Sequence, residues 1–126
     1  MKDERYHSRL SGVVSESIRS KRIVQVGCGA GSLAATCLAR SGVGSFGLVD
    51  PDIVAIENLC RTAYNTDQVG MSKVEALANL MRLANPSVDV STLACDVTEL
   101  EDSAVVDLMT GADLLIAGTD SLEAQA

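Results

Sequence analysis

The sequence has no tryptophan, one phenylalanine and two tyrosines, so any core that it forms is built mainly from aliphatic side chains. It contains no apolar stretch of about 18 residues, the length that a membrane-spanning helix needs. The first residues, MKDERYHSRL, lack the apolar segment of a secretion signal. We therefore expect no membrane span, and these absences favour a cytoplasmic protein.

Cysteine pairs at metal-binding spacing are also absent. The four cysteines are widely separated and form no C-x-x-C pair; they are Cys28, Cys37, Cys60 and Cys95. In a chain without a secretion signal, this pattern predicts reduced thiols rather than disulfides or a zinc site.

Acidic residues outnumber basic ones, and the formal net charge is −7. The imbalance lies in residues 51–126, which carry three Lys or Arg against thirteen Asp or Glu. An acidic chain with few aromatic residues is a poor candidate for binding nucleic acid.

Strand-like and helix-like segments alternate along the chain, which predicts an α/β fold with a Rossmann-like, doubly wound and mainly parallel sheet flanked by helices. Four strands form only part of such a sheet, so we expect a truncated half of a full domain. We divide the chain into an N-terminal helical segment, 1–21, and an incomplete nucleotide-binding domain, 22–126. The expected strands are 22–26, 88–95, 113–117 and the end of 42–50, where a turn precedes a strand that ends on Asp50. The expected helices are 31–41, 72–84 and 99–109.

A glycine-rich turn follows the first predicted strand in the stretch VQVGCGAGSL, with glycines at Gly27, Gly29 and Gly31. Such a turn before a helix lets the backbone approach phosphates. Asp50 ends the next strand, where its carboxylate can accept hydrogen bonds from ribose hydroxyl groups. The spacing G-x-G-x-G is one residue shorter than the usual G-x-G-x-x-G. The turn and Asp50 predict an adenine nucleotide site.

Charged and polar residues in and after the long connection from Asp50 to Ser72 indicate which nucleotide is bound. Stabilising a triphosphate under attack requires cations and an acidic metal ligand. Arg61 and Lys73 are the candidate cations, and Asp120, after the fourth strand, is the candidate Mg²⁺ ligand.

Five motifs together resemble the ubiquitin-activating and sulfur-carrier-activating adenylyltransferases, the family of ThiF and MoeB. They are RSGVGSFGLVDPD, ENLCR, VGMSKVEAL, NPSVDV and AGTDS. The resemblance extends from about Arg9 to Asp120.

The resemblance implies ATP and Mg²⁺ as cofactors and a role for each motif residue. Asp50 would bind the ribose and Asp52 would lie beside it, while Asn58, Arg61 and Lys73 would hold the triphosphate. Asp120 would coordinate Mg²⁺. Arg9 would reach the γ-phosphate of a partner in a homodimer.

The implied reaction is attack of a carrier protein's C-terminal glycine carboxylate on the α-phosphate of ATP. The carrier is a ubiquitin-like or sulfur-carrier protein, although one branch of the family acts on modified transfer RNA. No general base is needed, because a terminal carboxylate is already ionised at neutral pH.

Two other function classes stay open. A NAD-dependent Rossmann oxidoreductase would use the glycine turn and Asp50 but not the residues of the connection. A non-catalytic subunit of an activating enzyme would keep the fold without the chemistry; the short glycine turn favours it, while Arg61, Lys73 and Asp120 argue against it.

Overall fold

The computed structural model describes residues 4–119 as an α/β arrangement around a four-stranded parallel sheet. The strands are β1 (Arg22–Val26), β2 (Ser45–Val49), β3 (Asp89–Leu93) and β4 (Leu114–Ala117). The helices are α1 (Ser32–Arg40), α2 (Lys73–Ala84) and α3 (Asp102–Met109). The predicted fold class is confirmed, and each predicted strand and helix is present with ends shifted by a few residues at most.

The strand order is β3-β2-β1-β4, and all neighbours pair in parallel. Val26 lies beside Val49 in β2 and beside Ala117 in β4, so the carboxyl ends of these strands meet at one edge of the sheet. The chain runs outward from β1 to β2 and β3, then returns to the other side of β1. A crevice forms at such a reversal, where open α/β sheets bind their ligands.

Two aliphatic layers cover the sheet. Helices α1 and α2 pack on one face, where Phe46, Leu48, Leu77 and Met81 are fully buried. On the other face Val24 and Val49 pack with Leu108 of α3. The buried side of α1 consists of small residues, so its backbone lies close to the strands.

Helix α2 begins and ends where its sequence predicts. Ser72 is the N-cap, and its hydroxyl accepts a hydrogen bond from the N–H of Glu75 at 3.3 Å. The Glu75 carboxylate accepts a hydrogen bond from Thr92 of β3 at 2.5 Å, so it links the helix to the sheet. Asn85 ends the helix just before Pro86.

The long connection between β2 and α2 is ordered and closed at its base. Its two ends run together at an antiparallel bridge between Ile53 and Ser72. The N–H of Val54 donates to Met71 O at 2.8 Å, and the N–H of Lys73 donates to Asp52 O at 2.9 Å. Between these ends lie two 3-10 helices, Ile56–Arg61 and Thr66–Gln68. The connection therefore has a defined shape that can position side chains.

Residues before β1 pack near the amino ends of the strands. The Tyr6 hydroxyl donates to Arg40 O at the end of α1 at 3.0 Å. Leu10 and Ser41 together line a small cavity between the N-terminal residues and the end of α1. No helix among residues 4–119 has the length and apolarity needed to cross a membrane.

Gly27 has φ +93°, and a Cβ atom there would lie 2.6 Å from the carbonyl carbon of Gly118. Gly70 has nearly the same φ, +94°, but a Cβ there would meet nothing within 4 Å. We expect Gly70→Ala to lower the free energy of unfolding by about 1–2 kcal/mol, through backbone strain alone. Gly27→Ala should lower the free energy of unfolding by about 1–3 kcal/mol more than Gly70→Ala does, because the end of β4 must also move.

Urea denaturation of both variants measures this difference. Equal losses for Gly27→Ala and Gly70→Ala would show that the close approach of the glycine turn to the end of β4 does not contribute to stability.

Candidate functional site

A cavity of about 610 Å³ lies at the carboxyl edge of the sheet. It is lined by the glycine turn, the start of the connection after β2, the first residue of α2 and the residues after β3 and β4. The predicted site residues in its wall are Gly27, Gly29, Asp50, Asp52, Asn58, Arg61 and Lys73. The fold thus brings these predicted residues, from Gly27 to Lys73, to one place.

The glycine turn leads directly into α1. Gly31 is the N-cap of α1, and the N–H of Ser32 donates to Gly29 O at 3.0 Å. Counted from Gly27, Ser32 occupies the sixth position of the G-x-G-x-x-G pattern. Ser32 is fully buried, and its hydroxyl accepts the N–H of Ala63 at 2.9 Å. The turn therefore keeps the usual spacing with a small buried residue in the last place.

Two residues of the turn line the cavity and have backbone N–H groups that are unpaired among the described residues. Gly29 and Ala30 line it, and within residues 4–119 neither N–H donates a hydrogen bond. A helix N-terminus with free N–H groups attracts anions such as phosphate.

The Asp50 carboxylate joins the two loops that form the cavity. Its Oδ2 accepts the N–H of Cys28 at 2.7 Å, and its Oδ1 accepts the N–H of Asp52 at 2.8 Å. Asp50 is only 6% exposed. Each carboxylate oxygen can accept a second hydrogen bond, so ribose hydroxyl groups could still bind.

Lys73 extends from the first turn of α2 to the glycine turn. A Cβ atom on Gly29 would lie 3.8 Å from its Nζ, an ordinary contact distance, so the ammonium group lies beside the glycine turn. The Nζ atom lies 3.5 Å from Asp52 Oδ2, and the Lys73 side chain is 11% exposed, against 66% for that of Asp52. A buried ammonium group with one exposed partner can exchange that partner for a phosphate oxygen.

Arg61 and Asn58 enter the cavity from the first 3-10 helix of the connection. Asn58 Oδ1 accepts the N–H of Ala55 at 2.9 Å, which fixes the side chain at the start of that helix. Arg61 is exposed, and it makes no ion pair or hydrogen bond with the other described residues. Its guanidinium group is therefore free to bind an anionic ligand.

Three predicted residues are not among those that line the cavity. Gly31 faces the Gln25 side chain instead. Arg9 is exposed and follows His7, which contacts Gly42 near the amino ends of the strands. Strands β1 and β2 are each five residues long, about 16 Å, so Arg9, two residues after His7, lies toward the edge of the sheet opposite this cavity. Asp120 lies outside the described residues.

Residues after β3 also line the cavity and were not predicted, among them Cys95 and Asp96. Hydrogen bonds from the Thr98 backbone N–H and hydroxyl hold the pKa of Asp96 below its usual value. The signal was present in the sequence, because the carboxyl ends of neighbouring parallel strands share one edge. Thr62, beside Arg61, was missed as well.

Beneath the cavity, Cys28 and Tyr64 are buried and hold the turn in place. The Tyr64 hydroxyl donates to Cys28 O and lies 3.3 Å from Lys73 O. Burial, with a smaller effect of the nearby Asp50 carboxylate, raises the pKa of the Cys28 thiol to about 12. Burial also raises the pKa of Tyr64. Neither group is suited to be a nucleophile at neutral pH, which agrees with a packing role for Cys28.

The parallel sheet, the glycine turn and the crevice at the strand reversal are the architecture of Rossmann-like α/β proteins. A family model described as "ThiF family" matches residues 6–126, and the chain belongs to this family. The predicted family membership is confirmed.

Two curated relatives and one solved structure show the extent of the similarity. The chain is 36% identical over 126 residues to ubiquitin-like modifier-activating enzyme 5 of Aedes aegypti, covering 90% of this chain and 32% of the relative. It is 34% identical over 120 residues to the same enzyme of Drosophila persimilis, covering 87% of this chain and 31% of the relative. The chain thus spans about a third of the length of these relatives.

The solved structure is the E. coli tRNA N6-threonylcarbamoyladenosine dehydratase TcdA in complex with ATP. The TM-score is 0.81 at 29% identity, and the match covers 97% of this chain and 53% of TcdA.

The raised pKa and full burial of Cys28 predict that it resists alkylation. At pH 8 the thiolate is the reactive form, and a thiol with a pKa near 12 forms almost none of it. We expect iodoacetamide to label the exposed Cys37 and Cys60 but not Cys28, as measured by peptide mass spectrometry. Labelling in urea is the control, because unfolding exposes all thiols. Native labelling of Cys28 as fast as that of Cys60 would contradict the buried placement.

Proposed function

We propose that the chain carries the nucleotide site of an ATP- and Mg²⁺-dependent adenylyltransferase. The single observation that carries the proposal is the position of Lys73, an almost buried cation beside Gly29 and Asp52 in a cavity that Arg61 also lines. Two cations above the N-terminus of a helix form a site for a polyphosphate rather than for a single anionic group.

The proposed reaction begins with ATP bound along the cavity. Gly29 and Ala30 offer free backbone N–H groups to the phosphates, and the Asp50 carboxylate accepts hydrogen bonds from the ribose hydroxyl groups. A carboxylate oxygen attacks the α-phosphorus and forms a new P–O bond, and the bond to the bridging oxygen of the pyrophosphate breaks. Lys73 and Arg61 stabilise the negative charge that builds on the departing pyrophosphate. The products are an acyl-adenylate and pyrophosphate.

Asp120 is the proposed Mg²⁺ ligand. Residues 4–119 contain no group of three or more acidic, cysteine or histidine side chains that could hold a metal ion alone. This fits Mg²⁺, which is commonly held by one or two carboxylates, water and the phosphates of the nucleotide. Bound there, Mg²⁺ would neutralise charge on the phosphate oxygens.

The proposed co-substrate is the C-terminal glycine carboxylate of a ubiquitin-like or sulfur-carrier protein. Support comes from the relatives that are named ubiquitin-like modifier-activating enzymes. The structural similarity to TcdA keeps a carbonyl of modified transfer RNA as the second candidate substrate, although this chain is acidic. We propose that the reaction occurs in the cytoplasm.

The two remaining function classes are less well supported. A NAD-dependent oxidoreductase has no use for Arg61 and Lys73 beside a ribose-binding Asp50, and the chain's family argues for adenylylation instead. A non-catalytic subunit does not require a cation in the position of Lys73. The regular spacing from Gly27 to Ser32 removes the main argument for such a subunit.

Replacing Lys73 tests the proposed role of the cation. We expect Lys73→Ala to slow ATP–pyrophosphate exchange with the carrier by about 2–4 kcal/mol of transition-state stabilisation, roughly 30- to 1,000-fold. The matched control is Lys21→Ala, because Lys21 is half-exposed beside Asp113 and away from the cavity. An exchange rate in Lys73→Ala equal to that of the control would refute the role of Lys73.

Calorimetric titration separates the adenylyltransferase from the oxidoreductase. We expect binding of Mg-ATP that is weaker in Asp120→Ala, and no binding of NAD⁺. Omitting Mg²⁺ is the control, since ATP alone should then bind equally to the wild type and to Asp120→Ala. Binding of NAD⁺ without response to Mg-ATP would favour the oxidoreductase.

The position of Arg9 predicts that it can serve only the site of another subunit. In a homodimer, Arg9→Ala and Lys73→Ala should each strongly reduce pyrophosphate exchange. Mixing the two variants should restore about a quarter of the wild-type rate, because half of the dimers are mixed and each has one complete site. A mixture no more active than its components would argue against this role of Arg9.

A further inference from the structure

Gln25 is a polar residue in the middle of the hydrophobic core. It lies in β1, the strand between β2 and β4, and is 0% exposed. Alternate residues of a strand share a face, so Gln25 is on the same side as Ile23, which packs with Ala35 and Ala39 of α1. An apolar side chain would satisfy this position without an uncompensated polar atom.

The Gln25 amide holds one end of a peptide group in the glycine turn. Its Nε2 donates to Gly27 O at 3.1 Å. The N–H on the other side of the same peptide bond, that of Cys28, donates to Asp50 Oδ2 at 2.7 Å. The Gly27–Cys28 peptide is therefore held at both its carbonyl and its N–H, which fixes its orientation. The next two residues, Gly29 and Ala30, line the cavity with N–H groups that are unpaired within the described part of the chain.

Gly31 provides the space that Gln25 needs. A Cβ atom on Gly31 would lie 2.7 Å from Gln25 Nε2, closer than a nonbonded carbon can approach. The Gln25 amide therefore occupies the space that a side chain on Gly31, the N-cap of α1, would need.

The other end of the amide is unsatisfied. Gln25 Oε1 is buried and has no hydrogen-bond partner among residues 4–119. A buried acceptor without a donor destabilises a fold, so core packing does not explain a glutamine here. The hydrogen bond to Gly27 O is the one interaction of this amide that an aliphatic residue cannot replace.

We propose that Gln25 is a positioning residue for the nucleotide phosphates. It fixes the Gly27–Cys28 peptide from below, while Asp50 fixes it from the side, so that the N–H groups of Gly29 and Ala30 point at the ligand. This inference rests on the proposed function for the identity of the ligand, but the fixed peptide can be measured without any ligand.

The first test compares Gln25→Met with the wild type in calorimetric titration with Mg-ATP. Methionine keeps the length of the side chain and removes the hydrogen bond. We expect the Kd for Mg-ATP to rise about tenfold, because one hydrogen bond of ordinary strength would no longer hold the turn in the orientation that binds the phosphates. The melting temperature should change little, because an unsatisfied Gly27 carbonyl replaces an unsatisfied Gln25 oxygen.

The matched control is Asn85→Leu. Asn85 is a second buried amide, 3% exposed, and its Nδ2 donates to Ala39 O at 3.0 Å near the opposite edge of the sheet. This variant should lower the melting temperature and leave the Kd for Mg-ATP unchanged. If Gln25→Met behaves in the same way as Asn85→Leu, Gln25 is a structural residue and the proposal is wrong.

Hydrogen exchange tests the same inference in the absence of nucleotide. We expect the Cys28 amide of Gln25→Met to exchange about tenfold faster than in the wild type, while the amide of Phe46 in β2 is unchanged. Equal exchange at Cys28 overturns the proposal even if Mg-ATP binds. Faster exchange at Cys28 in a chain that does not bind Mg-ATP would support the fixed turn and reject the proposed function.

Discussion

The site depends on the carboxylate of Asp50. Its two oxygens bind the N–H groups of Cys28 and Asp52, and so join the turn after β1 to the connection after β2. These segments are adjacent because β1 and β2 pair in parallel, with Val26 beside Val49. Without this carboxylate, the buried N–H of Cys28 and the part-buried N–H of Asp52 would lose their acceptor, and the turn would lose its link to the connection.

The connection after β2 carries the cations to that anchor. Its base is closed by backbone hydrogen bonds, and the N–H of Lys73 donates to Asp52 O at its exit. Lys73 is therefore held at the start of α2, and its side chain, only 11% exposed, extends to Gly29. The surrounding half of the chain is strongly acidic, so positive charge in this region is confined to a few residues, of which Lys73 and Arg61 line the cavity.

Much of the fold could be predicted because its signals are local. Strand β1 coincides with the predicted range, and Ser72 caps α2 as its spacing to Glu75 predicts. The order inside the connection could not be predicted, because its 3-10 helices are held by hydrogen bonds such as that from Ala63 to Ser32, which lie far apart in the sequence. Asp96, by contrast, could have been predicted, since it follows β3 and the carboxyl ends of neighbouring parallel strands share one edge.

The sequence by itself determined the alternation of strands and helices, the family and the set of candidate residues, since these follow from short-range periodicity and from motifs of a few residues each. Only the tertiary structure decided which candidates meet. It brought Lys73, Arg61 and Asp50 to one cavity and left Arg9 outside that cavity, two residues after His7, which contacts Gly42 near the amino ends of the strands. It also gave Gln25 a polar contact beneath the glycine turn. Parallel pairing sets these distances, because it aligns the ends of strands that are remote in the chain.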